Sequence, residues 1–150
     1  MQIRPIGGKK GRKRSLLVDA RGVPLPLVVS GANRHDVKLL PATLDAILVR
    51  RPKTVQPLLC ADVGYKGQPV HDAIVARGYV PHVKQRQEEA ADLTSKRHPA
   101  RRWIVERAHS WFNRFRKLLV SFEKSSASYI GLLSLAAPLI CGRQLIVIYG

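Results

Sequence analysis

Val55-Gln-Pro-Leu-Leu-Cys-Ala-Asp-Val-Gly-Tyr-Lys-Gly-Gln-Pro-Val-His-Asp-Ala-Ile-Val-Ala-Arg-Gly-Tyr-Val-Pro-His-Val83 is the stretch that decides the fold class. An apolar run ends abruptly at Asp62, and Gly64-Tyr65-Lys66-Gly67 follows as a turn, so a strand delivers a carboxylate to its C-terminal end. Residues 68–77 read as a helix with Val70, Ala73, Ile74 and Ala76 apolar, closed by Gly78. Tyr79 to Val83 then reads as a short edge strand, where Pro81 is tolerated. Strand, helix, strand makes this an α/β chain. In an open α/β sheet ligands and chemistry collect at the carboxyl ends of the strands. Asp62, taken alone, reads equally as a turn former and as an acid placed for that purpose.

Upstream, Met1 to Arg14 is basic and glycine-rich and reads as a mobile arm. Ser15 to Asp19 and Val23 to Ser30 read as two strands of a hairpin closed by Ala20-Arg21-Gly22. Asp19 stands at the start of that turn, where an Asp side chain commonly accepts from backbone N–H groups two residues on. It is therefore expected to build the turn rather than to take part in chemistry. Gly31-Ala-Asn-Arg-His-Asp36 leads into a helix with Val37, Leu39, Leu40, Leu44 and Ile47 at a 3.6 period. Asn33 or Asp36 is positioned to cap it, and Pro41 falls in its first turns.

Downstream, 84–101 is polar with little apolar periodicity and reads as a loop. The segment Arg101-Arg-Trp-Ile-Val-Glu-Arg-Ala-His-Ser-Trp-Phe-Asn-Arg-Phe-Arg-Lys117 is helical by period. Ile104, Ala108, Trp111, Phe112, Phe115 and Leu119 form the expected core stripe. Arg102, Glu106, His109, Asn113 and Lys117 form the expected outer one. The aromatics could stack on bases, but this spacing favours a core role. Glu106 is the only acid in a run with six Lys or Arg. It is either a surface acid paired with Arg102 one turn before, worth about 0.2 to 0.5 kcal/mol, or a metal-binding carboxylate inside a surface that holds nucleic acid. Ser125 to Cys141 is expected to be a final helix packing Tyr129, Leu132, Leu133, Leu135, Ala136 and Leu139, bent or ended by Pro138. Residues 144–150 read as an apolar tail, an added strand in one reading.

Composition narrows the function class. The 150 residues suit one domain, and 45% hydrophobic content supports an ordinary core. Twenty-six Lys plus Arg against ten Asp plus Glu give a formal charge of +16, which favours a polyanionic partner, nucleic acid before an anionic membrane. The run from Ile130 to Cys141, broken by Ser134 and Pro138, is shorter than the roughly 20 residues a bilayer span requires. The N-terminus lacks the apolar core of a secretory signal. Cys60 and Cys141 have no metal-ligand spacing and suit a reducing cytosol, and the five histidines form no helical zinc pair.

Leu58-Leu-Cys-Ala-Asp-Val-Gly-Tyr65, Arg102-Trp-Ile-Val-Glu-Arg-Ala-His-Ser-Trp-Phe-Asn-Arg-Phe-Arg116 and, upstream, Val-Ser-Gly-Ala-Asn-Arg-His-Asp36 occur in one order. Together they resemble the C-terminal part of a bacterial insertion-sequence transposase of the DDE type, in the group of insertion sequence families four and five and most like family five. The resemblance runs from Ile6 to about Arg143. It implies a ribonuclease H-like catalytic core in which three carboxylates hold two Mg²⁺ or Mn²⁺ ions for in-line displacement at a DNA phosphorus. By motif, Asp62 resembles the second acid and Glu106 the third, both as metal ligands. Arg102 matches the Arg of that signature, Pro99 stands where its Tyr is usual, and Asn113 stands where its Lys is sought. The resemblance further implies DNA contacts from Arg102, Arg107, Arg114, Arg116 and Lys117, with His109 and Asn113 near the site. The 43 residues between Asp62 and Glu106 (63–105) leave no room for the inserted β domain of some relatives.

The family's first acid lies on a strand preceding the hairpin, and this sequence opens in the loop after that strand. The reading is therefore a ribonuclease H-like core truncated at its N-terminus: an arm over 1–14, a partial catalytic domain over 15–143 and an apolar tail over 144–150. Such a chain is expected to be inactive unless an upstream-encoded segment supplies the missing Asp. Its expected partners are DNA, that segment and further copies of itself on DNA. The competing readings are a non-catalytic basic DNA- or RNA-binding module, and the relic of a decayed element.

Overall fold

The computed structural model describes residues 11–49, 54–83, 103–120 and 123–149. The elements are β1 (Arg12–Val18), β2 (Pro24–Gly31), a 3-10 turn (Asp36–Leu39), α1 (Leu40–Asp45), β3 (Leu58–Cys60), a 3-10 turn (Val63–Tyr65), α2 (Gln68–Val75), β4 (Val80–His82), α3 (Trp103–Asn113), α4 (Arg116–Val120) and α5 (Ser126–Tyr149). The mixed α/β class is as expected. The expected arm meets one correction: residues 1–10 lie outside the described residues, but Arg12 to Arg14 already form the first strand.

β1 and β2 pair antiparallel, with Leu16 opposite Leu27 and Arg12 opposite Gly31. The turn is built by Asp19 as its position suggested. Its Oδ1 accepts from the Arg21 and Val23 N–H groups at 2.9 and 2.8 Å, and Gly22 takes φ +90°, a left-handed conformation that favours glycine. β3 and β4 form a separate pair, parallel, with Leu58 opposite Val80 and Cys60 opposite His82. That geometry requires a crossover, which α2 supplies, ending where Gly78 takes φ +72°. Among the described residues, each of β1 and β3 has only one edge paired to a strand.

Two cores flank the hairpin because alternate residues of β1 point to opposite faces. Leu17 packs against Leu40, Leu44, Leu59, Ala61, Tyr65, Val70 and Ile74, the core of α1, α2 and β3. Leu16, on the other face, packs with Ala108, Phe112, Leu118, Tyr129, Leu133, Ala136 and Ile140 of the three later helices. Ser15 is buried toward α1, where its Oγ lies 2.6 Å from Thr43 Oγ1. The Thr43 hydroxyl donates in turn to the Leu39 carbonyl at 2.8 Å, so Ser15 donates to Thr43 and neither hydroxyl is stranded.

Other expectations are corrected. The helix expected from Asp36 through Ile47 is a 3-10 turn followed by only six α-helical residues. Neither Asn33 nor Asp36 caps it, and Asp36 pairs instead with Lys13 at 2.8 Å. The basic helix does not run unbroken through Lys117. It stops at Asn113 and restarts at Arg116, so Leu118 is buried in place of the expected Leu119. The same packing turns His109 and Asn113 inward, although they were assigned to the outer stripe. Lastly, α5 runs through Pro138 to Tyr149, so the residues of the apolar tail from Gln144 to Tyr149 are helix, not an added strand. Its buried positions are Tyr129, Leu133, Ala136 and Ile140, while Leu135 and Leu139 are exposed. Ser126–Val147 is also long and apolar enough to cross a membrane by length and composition, which the interrupted run in the sequence did not suggest. The expected loop over 84–101 lies outside the described residues.

Candidate nucleic-acid and carboxylate site

Asp62 sits where the strand pattern put it, immediately beyond β3. Its backbone is extended (φ −73°, ψ 162°) and its Oδ1 accepts from the Val63 N–H at 2.8 Å, capping the short turn that follows. That turn buries Tyr65, whose hydroxyl has no hydrogen-bond partner among the described residues. Burial, with the negative charges of Asp36 and Asp62 adding to it, pushes the phenol well above its ordinary value. Asp36 and Asp62 therefore both act on one buried hydroxyl. Asp36 is fixed at the open end of the hairpin through Lys13 on β1.

Glu106 is exposed on the first turn of α3. Contacts on either side of it fix where that turn lies. The Arg107 guanidinium donates to the Arg21 carbonyl at 2.6 Å, and a Cβ placed on Gly22 would meet Arg107 Nη2 and Ile104 Cγ2, each at 2.9 Å. Both contacts are with the hairpin turn. At its other end α3 meets β1 near the hairpin's open end, where Arg14 Nη2 donates to Asn113 Oδ1 at 2.7 Å. α3 thus runs along the hairpin from turn to open end, a length of about 20 Å for strands of this size. Glu106 stands at the turn, Asp36 at the open end, and Asp62 beside the Tyr65 that Asp36 influences. Among the described residues no three His, Cys, Asp or Glu side chains are grouped to hold a metal.

The expected DNA-binding cations fall in different settings. Arg102 lies outside the described residues. Arg107 is folded into the structure, its guanidinium between the rings of Trp103 (4.8 Å) and Trp111 (5.1 Å), one turn away on each side. Arg114, Arg116 and Lys117 are exposed at the break between α3 and α4. A polyanion can reach these three without disturbing the core.

His109 and Asn113 face inward together, one turn apart, toward Arg14. The Arg14 side chain is buried (7% exposed), and among the described residues its Nη1 and the His109 Nε2 both lack a hydrogen-bond partner. Burial lowers the Arg14 pKa. Burial first, and the Arg14 charge second, push the His109 imidazole down to about 4, so it is neutral at physiological pH. Sequence reading missed Arg14 because it was assigned to the arm. The signal was present: once the strand starts at Arg12, strict alternation puts Arg14 on the same face as Leu16.

Comparison with known proteins places these observations in a family. A family model described as the transposase DDE domain matches residues 4–140. The transposase assigned to insertion sequence element IS402 of Burkholderia cepacia is 34% identical over 142 residues, covering 91% of this chain and 65% of that protein. The chain thus spans a little under two thirds of this relative's length. No solved structure matches.

Proposed function

The chain belongs to the transposase DDE domain family, and on that premise we propose that it is the DNA-acting part of an insertion-sequence transposase whose reaction is metal-dependent strand cleavage and strand transfer at element ends. The observation that carries this reading is the split sheet. Among the described residues, Asp62 follows one strand of a parallel pair whose other edge at β3 has no strand partner, and β1 carries a second such edge. One further strand seated between β1 and β3 would join the two ladders into a single ribonuclease H-like sheet. An acid on that strand would stand beside Asp62, and the polypeptide segment bearing it would be this chain's first partner.

The described residues do not by themselves fit a metal pair, since Glu106 stands at the hairpin turn and no third carboxylate is grouped with Asp62. Asp62 and Glu106 serve as ligands only in a completed domain in which α3 is seated differently along the hairpin. Mg²⁺ or Mn²⁺ belongs to that completed assembly.

What this chain's own residues do in that assembly is hold DNA. Arg114, Arg116 and Lys117 supply exposed charge to phosphates, within a chain of net charge +16. A second reading, a basic nucleic-acid-binding module that does not cut, is favoured by the lack of a grouped set of metal-ligating side chains among the described residues.

Complementation separates the two readings. The chain is co-expressed with the part of the Burkholderia cepacia relative that it leaves uncovered, and plasmid nicking is followed with and without Mg²⁺. Metal-dependent nicking that disappears in Asp62→Asn and in Glu106→Gln supports the transposase reading. Salt-sensitive DNA binding without nicking, unchanged in both variants, supports the binding module.

A further inference from the structure

We propose that Arg14, with His109 and Asn113 beside it, is the receptor for a carboxylate side chain carried by the upstream strand that completes the sheet. The proposal rests on the transposase reading above and adds to it the chemistry by which the two segments recognise each other. β1 opens with three cations, and two of them are answered. Lys13 pairs with Asp36 at 2.8 Å. The Arg12 guanidinium donates to the Glu123 and Lys124 carbonyls at 2.6 and 2.7 Å and lies over the Tyr129 ring. Arg14 is the most deeply buried of the three, yet among the described residues its guanidinium is met only by the neutral Asn113 amide, through Nη2. Its Nη1 has no acceptor, and no carboxylate is among the charges that act on it. A guanidinium taken out of water without an anion is strongly unfavourable, because nothing offsets its desolvation.

His109 makes the same demand. Its Nε2 is buried without a partner among the described residues, and burial together with the Arg14 charge keeps the imidazole neutral. With the proton on Nε2, it is a second donor that lacks an acceptor. A carboxylate has two oxygens and no donor, so one such group satisfies Arg14 Nη1 and His109 Nε2 together and supplies the charge that Arg14 lacks.

Position selects the source of that carboxylate. Arg14 lies on β1, whose other edge has no strand partner among the described residues. On a strand laid along that edge, the residue directly opposite has its Cβ about 4.5 to 5.5 Å from that of Arg14, within reach of an Asp or Glu side chain on the same face. α3 covers this face from outside the sheet, whereas an incoming strand arrives in the plane of the sheet. A phosphate of duplex DNA has no such route to a buried guanidinium. Residues 1–10 contain no acid, so the chain's own N-terminus does not supply the anion.

The probe is the part of the Burkholderia cepacia relative that this chain leaves uncovered, fused to a soluble carrier. Its affinity for the wild-type chain, Arg14→Met and Arg14→Lys is read by biolayer interferometry, and thermal unfolding of each chain alone is followed in parallel. The probe is expected to bind the wild type, to bind Arg14→Met about thirtyfold more weakly or worse, and to bind Arg14→Lys with intermediate affinity, because an ammonium keeps the charge without the fork. Alone, Arg14→Met is expected to melt above the wild type, since an unpaired buried charge gives way to an apolar side chain of similar length. A residue that only filled space would show the opposite sign. One Asp or Glu of the probe, changed to Asn or Gln, should reproduce the loss and add nothing to it when combined with Arg14→Met. If Arg14→Met does not fold, Arg14→Lys and the acid variants of the probe decide the matter. Equal binding of wild type and Arg14→Met, a lower melting temperature for Arg14→Met, or an additive loss at every acid of the probe overturns the proposal and leaves the transposase reading standing. Weaker binding of duplex DNA by Arg14→Met with probe binding unchanged overturns it in favour of a phosphate. A probe that does not bind the wild type at all removes the upstream strand, and both readings fall together.

Discussion

A neutral imidazole at position 109 is built into the folded state, and lowering the pH tests this directly. His109 has its Nε2 buried without a partner among the described residues and lies near the buried Arg14 guanidinium. Its pKa is about 4 in the fold, against 6.5 as the ordinary value. Between these values the unfolded chain binds a proton that the folded chain refuses. The contribution is therefore fully present above about pH 6.5 and is lost as pH falls toward 4. The full shift corresponds to about 3 kcal/mol, and about 2 kcal/mol is gone by pH 5. For a domain of this size that is a fall in Tm of about 4 to 8 °C between pH 8 and pH 5. The comparison protein is His109→Gln, which keeps an amide near Arg14 and does not titrate. Thermal or urea unfolding over this range should show the wild type losing stability steeply and the variant much less. If both lose the same amount, His109 is not the titrating group and its burial has been misread.

Three other perturbations follow from single contacts. Phe112 is fully buried between β1 and the later helices, so Phe112→Ala should cost about 3 to 5 kcal/mol in urea unfolding. Gly22→Ala places a Cβ 2.9 Å from Arg107 and Ile104 at a φ of +90°, and a loss of about 1 to 3 kcal/mol is expected, because backbone strain adds to displacement of the Arg107 side chain. Replacing Arg114, Arg116 and Lys117 together by Gln should weaken DNA binding and reduce the slope of log K against log salt by roughly 2 to 3, read by fluorescence anisotropy. Unfolding free energy should stay within about 0.5 kcal/mol, since all three side chains are exposed.

Much of the site can be read from sequence where the signal is local. Asp62 follows a short apolar run that begins after Pro57 and is closed by Gly64, and the shortness of the run and the turn residues flanking it mark a strand end from neighbouring residues alone. Asp19 builds its turn because the bonds it makes, to residues 21 and 23, span only four residues. The basic helix around Glu106 is equally local, though its break at Asn113 was hidden because the apolar spacing continues through Phe115. By contrast, the inward placement of His109 and Asn113 depends on Arg14, about a hundred residues away. No window of sequence contains both partners.

The sequence by itself determined the α/β class, the strand ending in Asp62, the hairpin turn at Asp19, and the basic charge that suits a polyanion. Each follows from backbone propensity, side-chain period or composition, which act over a few residues or over the whole chain without regard to arrangement. Tertiary structure alone decided that His109 and Asn113 turn inward, that α3 lies along the hairpin with Glu106 at the turn, and that α5 continues through Pro138 with Leu135 and Leu139 on its open side. Those outcomes depend on which surfaces meet, and a helix with apolar residues on both sides offers two faces that only its neighbours can choose between.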